Sequence, residues 1–469
     1  MSLIAAPLLL LWPGAIVLAL LDGRRRGPGA LAVAILAAVF VLLAVLLAAV
    51  VARGPQELVA GGWAPDVGIR LRVDALGAVF AVLSCGVLLA SLLQAVITGI
   101  HARATPSLTL FMALGLTGLF LTGDIFSFYV FFELAMICAY ALTAAGGGDR
   151  RVRAAFTFAV VNLLGSFLFL IGIGALYRAT GTLEMAAVAQ QAATIDPNTG
   201  LLIAVTFFVA FGIKLGLFPF HFWLPSVYLA VAPHVAAMFA GALANIGTYG
   251  LLRFGGAILP AELELSSAAL IAIGALSIAY GALQAIARRD TREVLAYSSI
   301  GHAGYVLIAL GIGGPVGIGA AVIFSIANAL NKTLLFLGSE LRGRLAATAF
   351  LVGVLSVAGV PPTAGFFGKA ALFDAGIDAG SITTVTLLFV GGALSFVYLF
   401  QIYQHDRWRP RAEREREMPT GAASPGQRGV ALAVAAIVVL LGLWPEPLLA
   451  IGEQAAQEIT ATTPGRAEP

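Results

Sequence analysis

The sequence predicts an all-α polytopic membrane protein with about 14 transmembrane helices. Three observations carry this. The 469-residue chain is 60% hydrophobic and 11% charged, whereas a soluble domain carries roughly 25% charged residues. Apolar stretches long enough to cross a bilayer, about 20 residues each, recur along its whole length. Arginine alternates between rich and poor connections, as the two sides of a membrane require. No single core could bury so many apolar residues, so lipid must face much of the surface.

The first apolar run, 3–21, has no basic leader and no evident cleavage site, so it reads as a span and not as a signal peptide. Further spans are expected at 30–51, 74–97, 106–123, 125–144, 153–176, 201–232, 234–255, 266–287, 294–313, 318–340, 345–376, 382–404 and 429–450. The longest polar insertion is 405–428, charged and surface-lying, and no soluble domain is left over.

The arginines test this count. The odd-numbered connections hold 18 of them, at 24–26, 103, 150, 151, 153, 288, 289, 292, 342, 344 and six positions in 405–428. The even-numbered connections hold 5 (Arg53, Arg70, Arg72, Arg178 and Arg253), and Arg466 lies in the tail. The positive-inside rule then puts the odd connections in the cytoplasm and both termini outside. A formal net charge of +3 is too small to suggest nucleic acid. Cys85 and Cys138 lie apart in apolar runs and read as packing residues. No Cys/His cluster has zinc or iron–sulfur spacing, so no metal and no cofactor are expected.

Subtracting the arginines leaves three lysines, Lys214, Lys332 and Lys369, every one inside an apolar segment. A lysine at mid-bilayer costs roughly 2.5–3.5 kcal/mol even on the lenient insertion scale. Snorkelling to the interface is the alternative, and it suits Lys332, near the middle of 318–340, least. Arginine cannot lose its proton in a protein, and lysine can. A buried lysine with a movable partner is therefore a protonation switch. The partner expected for Lys214 is Glu133 in "FYVFFELAMICAY", across helices.

Segment 201–232 is overlong for one span and carries Pro219 and Pro225; segment 345–376 is equally long and is interrupted at "GVPPTAGFFGK" by Pro361 and Pro362. Each holds one lysine beside its interruption. Two such spans in corresponding halves point to an inverted-repeat transporter with sites at the breaks, because freed carbonyls line a wet cavity. His221 and His234 flank the first break. His302 lies early in the tenth span, and Asn245, Asn328 and Asn331 are mid-span amides. Each reads either as glue between helices or as a member of a hydrated axis.

The chain resembles the antiporter-like subunits shared by Mrp-type cation/proton antiporters, respiratory complex I and membrane-bound hydrogenases, and among these the D-type component of Mrp antiporters. The motifs are "FFELAMICAYAL", "KLGLFPFHFWLP", "RRDTREVLAYSSIGHAGY", "NKTLLFLGSE" and "GVPPTAGFFGK", and the similarity covers residues 70–405. The resemblance implies 14 helices, with two inverted five-helix repeats and broken helices 7 and 12. The organisation is then 1–105 (helices 1–3), 106–255 (first repeat), 266–404 (second repeat), 405–428 (cytoplasmic charged loop) and 429–469 (helix 14 and tail). It implies a proton relay through Glu133, Lys214, Lys332 and Lys369 at the membrane midplane. It further implies other integral membrane subunits as partners, protons and Na+ as the translocated ions, and a bacterial inner-membrane location.

Three positions depart from the family pattern. Asn245 stands where the family has a helix 8 lysine, Asn328 where it often has a histidine four residues before the helix 11 lysine, and Tyr228 where a histidine is common after "WLPxA". Asn245 cannot hold a proton as a charge, so transfer past it needs water. Three readings stay open: a component of a cation/proton antiporter, a membrane-arm component powered by a redox module elsewhere, and a structural component whose relay has decayed.

Overall fold

The computed structural model describes residues 3–59, 68, 70–408 and 423–461. Most of the 405–428 loop, with Arg409, Arg411, Arg414 and Arg416, and the tail with Arg466 lie outside the described residues. The main helices are α1 (Ala6–Leu20), α2 (Arg26–Arg53), α3 (Ala75–Thr98), α4 (Thr105–Leu121), α5 (Ile125–Ala144), α6 (Asp149–Thr180), α7 (Pro197–Leu215) and α8 (Trp223–Ala230). They continue with α9 (Pro233–Ile258), α10 (Ser267–Ile286), α11 (Thr291–Ile312), α12 (Gly314–Gly338), α13 (Arg344–Ala358), α14 (Ala364–Asp378), α15 (Ile382–Tyr403), α16 (Pro425–Leu443) and α17 (Glu446–Ala461). One short hairpin, β1 (Gln56–Val59) against β2 (Arg70–Val73), precedes α3.

Among the described residues, eleven helices are long and apolar enough to cross a membrane, with α7 and α8 taken as one across their break. The shorter apolar helices α1, α4 and α13 are 15, 17 and 15 residues long. Most helices fall on the stretches the sequence predicts, because in lipid only a helix satisfies its own backbone; the span expected at 429–450 instead ends at Leu443, and Trp444–Pro445 separates it from α17. Four of the helices, α3, α5, α7 and α11, start at an acidic cap. Asp74 accepts from the Gly77 amide (2.9 Å), Asp124 from Ser127 (2.6 Å) and Asp196 from Thr199 (3.0 Å), which pairs N–H groups that the first turn leaves free.

The most enclosed helices are α9, α11 and α12, which form the centre of the bundle. α10 lies against α11 backbone to backbone: a Cβ on Gly281 would sit 2.5 Å from the Gly301 amide, and one on Gly304 would overlap the Gly274 carbonyl. Small residues at such a seam let helices approach closely. α9 is not a regular α-helix. It has π-helical turns at Phe239–Leu243 and Leu251–Ile258, on either side of Asn245.

Both expected breaks are present, with the same construction. α7 ends at Gly216 (φ +70°), where Gly216 N donates to the Ile213 carbonyl (3.2 Å) and Leu217 N to that of Gly212 (3.1 Å). α13 ends at Gly359 (φ +83°), where Gly359 N donates to Ser356 (3.0 Å) and Val360 N to Leu355 (2.9 Å). Each is a Schellman stop, whose left-handed residue only glycine adopts without cost. In each case the peptide bond to the third residue after the glycine is a cis bond to proline, at Pro219 and Pro362.

Candidate functional site: a buried lysine axis

All three lysines are buried, at 6%, 1% and 7% exposure for Lys214, Lys332 and Lys369. Lys214 lies in the last turn of α7, directly before the break. Its Nζ donates to the Asn162 carbonyl (2.8 Å) and to Ser166 Oγ (3.0 Å), both on α6, and sits 4.4 Å from the centre of the Phe132 ring. Lys332, in α12, is held in the same way by α11. Its Nζ donates to Ser298 Oγ (2.7 Å) and to the Leu295 carbonyl (3.4 Å). Each ammonium group thus meets one serine hydroxyl and one backbone carbonyl of the next helix, one turn apart, and a cation so held in a dry interior needs these acceptors. Ser298 also accepts from the Tyr398 hydroxyl (3.0 Å).

Lys369 sits in α14 just beyond the second break. Its Nζ donates to the Ala358 carbonyl (3.2 Å), freed by the end of α13, and its stem lies 2.8 Å from where a Cβ on Gly359 would be. It lines a groove of about 620 Å³ with Asp374, Ile377, Phe389 and Phe396. Ile377 and Phe389 are largely exposed, so this groove opens on the outer wall of the bundle.

Two small interior cavities lie between Lys214 and Lys332. The first, about 10 Å³, is lined by Lys214, Met136, Phe158, Trp223, Tyr228 and Phe239, among others. The second, about 30 Å³, is lined by Lys332, Asn245, His302, Asn328, Ser299 and, again, Tyr228. A water needs roughly 10–15 Å³ of such space and two or more polar partners. The second cavity supplies both: the buried side chains of His302 and Asn328, which meet each other there, line it together with Asn245 and Ser299. Asn245 faces this cavity while its Nδ2 donates to Ser84 Oγ (3.2 Å) and the Gly241 carbonyl (3.0 Å).

The structure brings Lys332, His302, Asn245 and Asn328 together, but it separates others. The expected Glu133–Lys214 ion pair is not formed: no carboxylate lies within 4.0 Å of Lys214 Nζ among the described residues. Glu133 Oε1 is buried without a partner. The reason is its place on α5. Phe126, Val130 and Ile137, at helical spacing from it, are 48%, 50% and 58% exposed, so Glu133 lies half-buried at the edge of the outward stripe, near enough to act electrostatically on Lys214 but not to bond it. His221 stacks on Phe218 and meets Tyr280 at a tilt, and His234 is the second residue of α9; neither lines the two cavities. The Asn331 Oδ1 is buried and unpaired.

Sequence reasoning missed two features. Ser166 and Ser298 look like ordinary small residues, and only the pairing of helices makes them the lysines' acceptors. A second charged cluster lies at the far end of α9. Arg253 makes two contacts with Asp74 (2.6 and 2.7 Å) and two with the Tyr249 hydroxyl, and Glu458 Oε2 accepts from the Ala75 amide beside them (2.6 Å). The signal was there in Arg253, one of five arginines in the connections poor in them.

Residues 122–395 match the family described as NADH:quinone oxidoreductase/Mrp antiporter, transmembrane region. The chain belongs to this family. Among relatives, it is 29% identical over 424 residues to a putative antiporter subunit, mnhD2, of Staphylococcus aureus, covering 86% of this chain and 85% of the other. Among solved structures, it is similar to a chain of the Mrp complex from Dietzia sp. DQ12-45-1b (TM-score 0.88, 25% identity, 98% of both chains). It is equally similar to a chain of the membrane-bound sulfane sulfur reductase, an archaeal respiratory membrane complex (TM-score 0.88, 26% identity, 98% of both chains). As a member of the NADH:quinone oxidoreductase/Mrp antiporter family, the protein carries its lysines, its two breaks and both cavities within the matched segment.

Proposed function

We propose that the chain is a proton-translocating subunit of a multi-subunit cation/proton antiporter, with Na+ as the exchanged cation. One observation carries this reading. Two lysines buried at mid-bundle are each held by neutral acceptors on a neighbouring helix and border small interior cavities, the Lys332 one lined by polar side chains. A group that can hold or release a proton without a fixed counter-charge is what a relay needs. Glu133, Lys214, Lys332 and Lys369 form the relay, with His302, Asn245 and Asn328 on the hydrated axis and His221 and His234 outside it. The full topology is 14 spans, counting α1, α4 and the pair α13–α14 as crossings. Helices 4–8 and 9–13 are inverted repeats, which the matching breaks at Gly216 and Gly359 support. The arginine asymmetry supports an inner-membrane orientation with both termini outside. The exposed apolar stripe of α5 (Phe126, Val130 and Ile137) and the groove at Lys369 fit further membrane subunits as partners.

The test is exchange by the purified complex in vesicles carrying a pH gradient. Addition of Na+ should collapse the gradient, and Lys214→Ala or Lys332→Ala should abolish that response while the complex still assembles. Assembled lysine variants that exchange like wild type would end this reading. A redox-driven membrane arm is the second reading, favoured by the equal likeness to the reductase chain. A complex that moves protons only when an electron donor and acceptor are supplied would establish it instead.

A further inference from the structure

The two cavities share two lining residues, Tyr228 and Ala244. Ala244 has no polar side chain. Among the described residues, Tyr228 is therefore the only polar side chain that borders both the Lys214 cavity and the Lys332 cavity. It lies on α8, just past the first break, is 2% exposed, and packs its ring edge-on against Phe336 of α12 (5.5 Å). The other walls between the two lysines offer no alternative. Around Lys214 the cavity is Met136, Phe158, Trp223, Phe239 and Leu243, and the Trp223 indole N–H is already committed to the Ile213 carbonyl (2.9 Å). Asn245, the residue at the helix 8 position, borders only the Lys332 side.

We propose that Tyr228 is the proton-passing residue between the Lys214 and Lys332 halves of the axis. This deepens the antiporter reading above and rests on it. A phenol hydroxyl both donates and accepts. It can take a proton on its lone pair from the donor on one side while its own O–H proton leaves to the acceptor on the other. One O–H bond forms as one breaks, and the tyrosine is neutral before and after. Rotation of the O–H about the C–O bond then resets it. No residue in this step has to store charge, which suits a chain whose helix 8 position is an amide. Asn245, His302 and Asn328 then serve to hold water on the receiving side, and not to carry the proton across.

The experiment compares wild type, Tyr228→Phe and Tyr228→His in the whole complex, reading abundance of the assembled complex and pH-gradient flux in vesicles. Tyr228→Phe keeps the ring and its contact with Phe336. Assembly should be unchanged and flux should fall by about a hundredfold, the scale of a lost proton-transfer group. Tyr228→His restores a group that donates and accepts. It should recover flux, now with a pH profile that falls where histidine becomes charged, about pH 6.5. A packing role alone would give neither the rescue nor the new pH limb. Wild-type flux in an assembled Tyr228→Phe complex overturns the inference, and so does an assembled Tyr228→His complex without flux; the second variant decides the matter if the first does not assemble. If wild type itself shows no exchange, the failure belongs to the antiporter reading.

Discussion

Lys214 and Glu133 do not touch. The ammonium is held by Asn162 and Ser166 of α6, while the carboxylate lies half-buried on α5 with its Oε1 unpaired. A buried carboxylate oxygen without a hydrogen bond is costly, and Glu133 still acts electrostatically on Lys214 across the gap.

Glu133→Ala should therefore leave Lys214's two hydrogen bonds and the assembly of the complex intact, yet abolish exchange. Glu133→Asp should keep part of it. Flux and complex abundance measured together decide this: normal exchange by the alanine variant removes Glu133 from the relay.

Asp74→Ala should act on the fold. Asp74 and Arg253 are mutually paired with side chains 11% and 12% exposed. Removing one partner of such a pair strands a charge and costs about 3–5 kcal/mol. The yield of folded protein in membranes should drop sharply, and Asp74→Asn, which still caps α3, should recover part of it. Equal yields for wild type and Asp74→Ala would show the pair to be dispensable.

Glu458, on α17, gives a pH dependence. Burial pushes its carboxyl above the ordinary value, against the bond it accepts from the Ala75 amide. For an acid shifted upward, the folded state favours the protonated form. The stabilising contribution is complete below the ordinary carboxylate pKa and is lost as pH rises toward the folded-state value. Thermal denaturation in detergent should show wild type losing stability from acid toward neutral pH relative to Glu458→Gln, which cannot ionise. Parallel curves for the two proteins would remove Glu458 as the source.

The topology is checked by labelling. A cysteine placed in 405–428 should be inaccessible to an impermeant thiol reagent added to intact cells, and one placed in the β1–β2 hairpin should react. The reverse pattern turns the protein over in the membrane.

Much of this was legible in the chain. Lipid offers no hydrogen bonds, so each crossing must be a long apolar run, and most helices follow the predicted stretches to within a few residues; the expected 429–450 runs past the end of α16 because Leu448, Leu449 and Ile451 of α17 extend the apolar run. The breaks were legible because Pro219 and Pro361–Pro362 interrupt runs too long for one span. The lysines stood out because nothing else in the chain places ammonium groups in apolar segments. What they touch was not legible. Ser166 and Ser298 matter only because α6 packs on α7 and α11 on α12, a fact of tertiary pairing. That Glu133 stops short of Lys214 was hidden because α5 is apolar all round, so periodicity could not separate its inner from its outer face. Asp74 and Arg253 lie 179 residues apart, and nothing local joins them.

The matching grips on Lys214 and Lys332 have one consequence for speed. A serine hydroxyl and a backbone carbonyl accept from N–H whether the nitrogen is an ammonium or an amine. The side chain can therefore change charge without changing its hydrogen-bond partners, its rotamer or its place. The reorganisation that normally accompanies ionisation in a dry interior, when dipoles must turn to meet a new charge, is largely built in beforehand by the fixed dipoles of α6 and α11. In the proposed relay, the conformational work would then fall to water and to the breaks, and not to the lysines themselves.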